Sequence, residues 1–347
     1  MANLNNIIKD IEQQYGLAVA RAFDDAIRDI TSTVKVSQVT AALRNGDVLR
    51  AIDLLNIDIA VFSRLQTELT AAYNAAAAAT VANTSFRLPD GTRAVVRWDV
   101  GNPEASAYAR DMSSQKVVEL TNSVRDNAKS VIERGLAEGQ GPNKIALDLV
   151  GRTGPNGIRT GGTIGLTEYQ EGHVRSMRDR LASGDPSEMR KVLGMTRRDR
   201  RLDGIIRRAI ADGRAPSAAD IEKITTRYRQ RLIGLRGETI ARTEVQNAAS
   251  RARYDATRVG LRKANVPDWA VTKKWRHGGG GMKPRGDHIA MAGTTVTGIN
   301  TPFNMPDGAR MMFPHDTSLG AGAKHVANCT CYYEINIDYA ALFRAGY

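Results

Sequence analysis

The stretch Lys274–Cys331 gathers the side chains best suited to chemistry. Both cysteines of the protein, Cys329 and Cys331, fall inside it, as do four of the five histidines, His277, His288, His315 and His325. Thiolate and imidazole are soft to borderline ligands. His288, Cys329 and Cys331, completed by His315 or Asp316, could therefore hold a structural zinc ion with donors at about 2.0–2.3 Å. Cys-x-Cys is not the paired Cys-x-x-Cys of zinc fingers, so packing stands as the alternative: two thiols acting as small hydrophobes and His288 donating a hydrogen bond. The order Asp287-His288, then Asn300 or Asn304, then His315 also permits a metal-dependent His-family nuclease, in which one imidazole activates water. The apolar strands that should bracket such a motif are missing, and no enzymatic activity is expected. Arg242-Thr243-Glu244 invites comparison with ADP-ribose transfer, but one triplet does not define that chemistry.

These groups need a framework that loops alone do not give. Glycine and proline are dense across Lys274–Cys331, which favours short strands joined by turns. Ahead of it a helix is expected over about Gly237 to Ala264, with Thr243 and Asn247 on one face, turned toward backbone groups of the strand-rich module. A strand is expected over Tyr332 to Ile337, followed by an exposed end. Further back, Ile8, Ile11, Tyr15, Val19, Phe23 and Ile27 recur at helical spacing, Asn45-Gly46 breaks the pattern, and a second run passes from Leu49 into the alanine tract. Leu88-Pro89-Asp90-Gly91 is a turn between β-prone stretches and predicts a hairpin. Helix returns from Pro103. Six glycines between Gly151 and Gly165 mark a hinge without a phosphate-loop signature.

The formal charge is +12, which favours a polyanionic partner. From Arg190 to Arg214 nine cations (Arg190, Lys191, Arg197, Arg198, Arg200, Arg201, Arg207, Arg208, Arg214) face only three aspartates, and basic residues resume at Arg227, Arg229, Arg231 and Arg236. Such a run either binds DNA phosphates without reading sequence or is a solvated helix face. Tyr228 is the one aromatic residue interleaved there, which argues against base stacking. No apolar run approaches the roughly 18 residues of a membrane span, and the start lacks a secretory layout, so synthesis in a reducing cytoplasm is expected.

The order Lys274-Trp275, Arg285-x-x-His288, Gly293, Phe303, Gly308, Pro314-x-Asp316, Gly320, Asn328-Cys329-x-Cys331 resembles the Phage-Mu-F-like minor head protein family of phage head-morphogenesis proteins. The lead-in Ala241-Arg242-Thr243-Glu244 resembles the segment preceding the family's Trp. The likeness covers roughly residues 230 to 335 and departs from the family's pattern at Thr330, where an Arg is usual, and at His315, where a Gly is usual. It implies a structural role for Arg242, Thr243, Glu244, Trp275, Arg285, His288, Phe303, Pro314, Asp316 and Asn328. It also implies a minor structural protein inside the phage head, at or near the portal, present in several copies and assisting assembly and DNA packaging or ejection. The implied partners are portal protein, major capsid or scaffold proteins, and double-stranded DNA bound non-specifically. A DNA-binding regulator is the remaining alternative.

The expected fold is α+β and mainly helical. Residues 1–150 form a helical region with a hairpin near 85–98, 151–165 the hinge, 166–236 a basic helical region, and 237–347 a compact Mu-F-like α+β module with short strands.

Overall fold

In a computed structural model, which describes residues 4–101, 103–154, 157–279 and 285–347, the apolar spacing near the start becomes one buried face of α1 (Leu4–Thr33), with Ile8, Ile11, Val19, Phe23 and Ile27 all inside. Gly280 and Gly281 of the four-glycine run, and Pro155-Asn156 of the hinge, lie outside the described residues. Asn45-Gly46 ends α2 (Val36–Arg44), and Asp47 starts α3 (Val48–Asp53) by accepting from the Arg50 amide at 2.9 Å. The second helical run does not continue unbroken to the alanines. Asn56 turns left-handed (φ +53°), and Asp58 caps a single 3-10 turn before α4 (Ser63–Asn83). Side chains of this kind offer the backbone an alternative to the helix.

The turn at 88–91 forms, and Leu88 N donates to Thr92 O and Ala94 N to Phe86 O, but the ladder is a single bridge, Arg87 to Arg93. The hairpin is short because its inner residues pack elsewhere. Phe86 is buried and lies directly over Gly260, where an added Cβ would come within 2.2 Å of the ring. Trp98 donates to Asn74 Oδ1 at 3.2 Å.

Helix α5 (Pro103–Ala137) precedes α6 (Pro142–Val150), after which the glycine-rich stretch folds into the two-residue strands β1 (Arg152–Thr153) and β2 (Arg159–Thr160). A reciprocal Thr167–Gln170 capping box opens α7 (Glu168–Ala182), and Asp185 caps α8 (Pro186–Leu193). After α9 (Asp203–Asp212), the helix expected from Gly237 proves to begin much earlier, as α10 (Ala218–Lys263). It contains no proline, and Gly234, Gly237 and Gly260 are tolerated within it.

The carboxy-terminal part contains a three-stranded antiparallel sheet, ordered β4 (Thr295–Thr297), β3 (Val271–Arg276), β7 (Tyr332–Ile337). Around it lie α11 (Gly286–Ala290), the pair β5 (Phe303–Asn304) and β6 (Arg310–Met311), and α12 (Ala323–Val326). The tail is not simply an exposed end: Asp338 caps α13 (Tyr339–Arg344), which buries Leu342. The fold is therefore α+β and mainly helical, with small sheets.

The chain divides into two compact units: Met1–Ala20 with Leu65–Gln115 and Glu238–Tyr347, and Arg21–Arg64 with Lys116–Gly237. The second is cored by Leu166, Met177, Leu181, Met189, Ile206 and Leu232. In the first, Tyr254, Val271, Phe313 and Tyr333 pack with Phe86. No helix among the described residues is long and apolar enough to cross a membrane.

Candidate metal centre

Strand β3 alternates buried and half-buried residues along Val271–Arg276, as a strand with one covered face must. Its register sets Trp275 opposite Tyr333 and Arg276 opposite Tyr332, so Cys331, just ahead of β7, emerges beside the end of β3. Asn328 is left-handed (φ +51°), a conformation Asn tolerates better than most residues. Its amide donates to Thr243 Oγ1 at 3.1 Å, so the inward face of α10 holds the Cys-x-Cys turn as expected. Against that turn lies Gly278, where a Cβ would stand 1.9 Å from the Thr330 carbonyl oxygen. Only glycine allows so close an approach.

These constraints bring together three buried side chains. His288 Nδ1 lies 3.4 Å from Cys329 Sγ and 3.5 Å from Cys331 Sγ, with His288, Cys329 and Cys331 each at most 3% exposed. Tetrahedral zinc, with bonds of about 2.0–2.1 Å to nitrogen and 2.3 Å to sulfur, would set nitrogen and sulfur ligands about 3.6 Å apart. These three donors and their spacing therefore fit three positions of a tetrahedral site, and the group could hold a metal ion. The Cys331 amide donates to Cys329 Sγ at 3.4 Å, which favours a thiolate there. Accepting from the Cys331 thiol lowers the Cys329 pKa, while donating that proton, together with burial, raises that of Cys331. Trp275, Phe303, Met305 and Val326 enclose the cysteines, and the Trp275 ring stands edge-on to His288. The Trp275 Nε1 proton has no partner among the described residues.

Neither expected completion joins this group. His315 Nε2 donates to the Cys329 carbonyl at 2.9 Å, and its Nδ1 lies 3.0 Å from Ser250 Oγ. Burial pushes its pKa down. His315 occupies a left-handed position (φ +77°) and is held there by two hydrogen bonds. Asp316 instead accepts from the Met312 and Ser318 amides at 2.8 and 2.9 Å. Asn300 accepts from the Tyr254 hydroxyl at 2.8 Å, and Asn304 is exposed, so neither amide joins His288 in a nuclease-like cluster.

What joins His288 is His325, a residue that its sequence neighbours alone gave no role. His325 Nδ1 is 3.3 Å from His288 Nε2 and 3.5 Å from Asp287 Oδ2, and Asp287, His288 and His325 form a second group able to hold a metal. No local signal marked this pairing: only the fold shows which nitrogens face each other.

The other resembled residues serve the framework. Arg242 pairs with Glu12 at 3.3 Å, and Arg285 donates to the Ala327 carbonyl beside the Cys turn. Phe303 packs edge-on to Trp275, Pro314 is buried, and half-buried Glu244 lies close enough to act on the charge of His315. Lys273, singled out by no sequence signal, is fully buried in β3; it donates to the Met312 carbonyl at 2.7 Å, and burial lowers its pKa to about 8.

In the second unit Arg190, Lys191, Arg197, Arg200, Arg201, Arg207 and Arg208 are exposed. Arg198 is half-buried in a two-point pair with Asp203 (2.9 and 3.0 Å); Arg201 grips Asp199 at 2.7 Å, and Lys191 pairs with Glu188. Of the cations expected to resume the basic surface, Arg229 and Arg236 turn inward. Arg236 donates to the Gly165 and Leu166 carbonyls at 3.0 Å, and burial lowers its pKa to about 10.

No family model matches the chain, and no solved structure does. Over 139 residues it is 32% identical to uncharacterized protein YqbB of Bacillus subtilis (strain 168), a span of 40% of this chain and 41% of YqbB. The match thus spans less than half of that relative.

Proposed function

We propose that this chain is a minor structural protein of a tailed-phage head, placed at or near the portal inside the capsid, that assists assembly and DNA packaging or ejection by binding rather than turnover. The starting point is the resemblance over residues 230 to 335. The observation that carries it further is the set Arg190, Arg197, Arg200, Arg207 and Arg208, all exposed and without an ion pair among the described residues. Their neighbours Arg198 and Arg201 are already neutralised by Asp203 and Asp199. Cations left free on one helical unit suit a surface that offsets phosphate charge without reading bases. In the carboxy-terminal module His288, Cys329 and Cys331 hold a structural zinc, a staple for a loop-rich fold with little regular structure of its own.

Mass spectrometry of purified particles tests the placement: the chain should be present in stoichiometric amount relative to portal protein, and its absence from particles and their precursors sinks the reading. Anisotropy titrations on duplex DNA test the surface. Binding should be indifferent to sequence and weaken steeply with salt, and replacing the five arginines with neutral residues should flatten the log–log slope by about 0.9 for each phosphate no longer neutralised. Sequence preference without any capsid partner would favour a regulator instead.

A further inference from the structure

We infer that His325 and Asp307 are positioning residues of the metal centre: they form a one-way hydrogen-bond chain that fixes His288 in the tautomer whose Nδ1 is free to bind metal. This role rests on the metal reading above, and it falls to two residues outside the ligand set.

The positions of the protons decide the tautomer. His288 points Nδ1 at both sulfurs, so a metal there requires the lone pair of Nδ1 and leaves the ring proton on Nε2. In the apolar core a proton on Nε2 without an acceptor would be costly. The acceptor present is His325 Nδ1, at 3.3 Å, and the two rings are within 5° of parallel, so the proton can lie along the acceptor lone pair. His325 is itself fully buried, and with Nδ1 accepting, its proton must sit on Nε2. That nitrogen faces Asp307 Oδ2 at 3.0 Å. A carboxylate accepts only, so Asp307 holds a proton on His325 Nε2, and in the neutral imidazole Nδ1 is then left to accept from His288. Asp307 is in turn kept ionised by Lys324 and by the Ala309 amide, which hold its pKa well below the usual range. Asp287 Oδ2, 3.5 Å from His325 Nδ1, is the competing acceptor: a proton placed on Nδ1 for Asp287 would reverse the first bond of the chain. A carboxylate–histidine–histidine chain of this kind orients the ligand ring and raises its basicity.

The rival use of the same atoms is a second cation held by Asp287, His288 Nε2 and His325 Nδ1. It would strip His288 of its remaining proton whenever the first site is filled, and it predicts two ions per chain.

The test uses the full-length chain titrated with cobalt(II), read by thiolate-to-cobalt charge transfer and by zinc competition. Wild type should take one ion. His325→Leu should bind roughly 10- to 100-fold more weakly. His325→Asn, whose amide oxygen can accept near the position of Nδ1, should restore most of the affinity and the wild-type spectrum. Because His325→Leu alters a buried site, Asp307→Ala serves as the second variant: Asp307 is partly exposed, and loss of the acceptor should weaken binding while circular dichroism stays unchanged. If wild type binds one ion and both His325→Leu and Asp307→Ala match it in affinity and spectrum, the positioning role is overturned while the centre stands. Two ions per chain also overturns it. If wild type binds none, the centre itself is wrong and this role falls with it.

Discussion

Removing the metal should loosen the carboxy-terminal module, and the size of the effect follows from the geometry of the donors. His288 Nδ1 already stands 3.4 and 3.5 Å from the two sulfurs, within about 0.2 Å of the tetrahedral spacing. Binding therefore asks for little rearrangement, and its free energy passes almost entirely into stability. With free zinc at about 1,000 times Kd the folded state gains about 4 kcal/mol. For a unit of roughly 150–250 residues each kcal/mol moves Tm by about 2–4 °C, so chelation should lower the melting transition by roughly 8–16 °C. Elemental analysis of the protein purified without added metal, followed by calorimetry with and without a strong chelator, provides the measurement. Cys329→Ser and Cys331→Ser should each weaken zinc by more than the roughly 10- to 100-fold that outer-shell partners contribute, and should make the transition insensitive to chelator. A protein that carries no metal, takes up none, and melts at the same temperature under chelation would refute the reasoning. The three residues would then be a hydrogen-bonded core cluster.

Further outcomes test the framework and the basic surface. Gly260→Ala should cost about 1–3 kcal/mol in urea unfolding, because its Cβ would meet three Phe86 ring atoms at 2.2–2.5 Å; Phe86→Leu in that background should recover part of the loss. Lys273 has a folded pKa of about 8 against its ordinary 10.5, so between those values the unfolded chain binds more protons. Stability should therefore rise with pH across that window by up to about 3 kcal/mol in wild type relative to Lys273→Met, and parallel pH profiles for the two would contradict this. Arg198→Ala should destabilise by about 3 kcal/mol by leaving Asp203 buried and unpaired, with no change in the salt slope of DNA binding. Arg207→Ala should do the reverse, moving stability by less than about 0.5 kcal/mol while flattening the slope.

The sequence by itself determined what depends on neighbours along the chain. Helical spacing in Ile8–Ile27, the stop at Asn45-Gly46 and the strand Tyr332–Ile337 are local matters of side-chain period and backbone preference, and they were legible. So was the grouping of His288, Cys329 and Cys331, because residue type alone marks them as possible ligands. Other features were decided only by tertiary packing. Thr330 passes over Gly278, and His325 rather than His315 meets His288, because the register of β3 against β7 and the placement of α11 and α12 bring together residues far apart in sequence. Which arginines stay in water was equally hidden: Arg207 and Arg236 look alike in a basic run, yet Arg236 is buried with two backbone carbonyls to satisfy. A charge is counted along the chain, but its cost and its use are set by what surrounds it once the chain has folded.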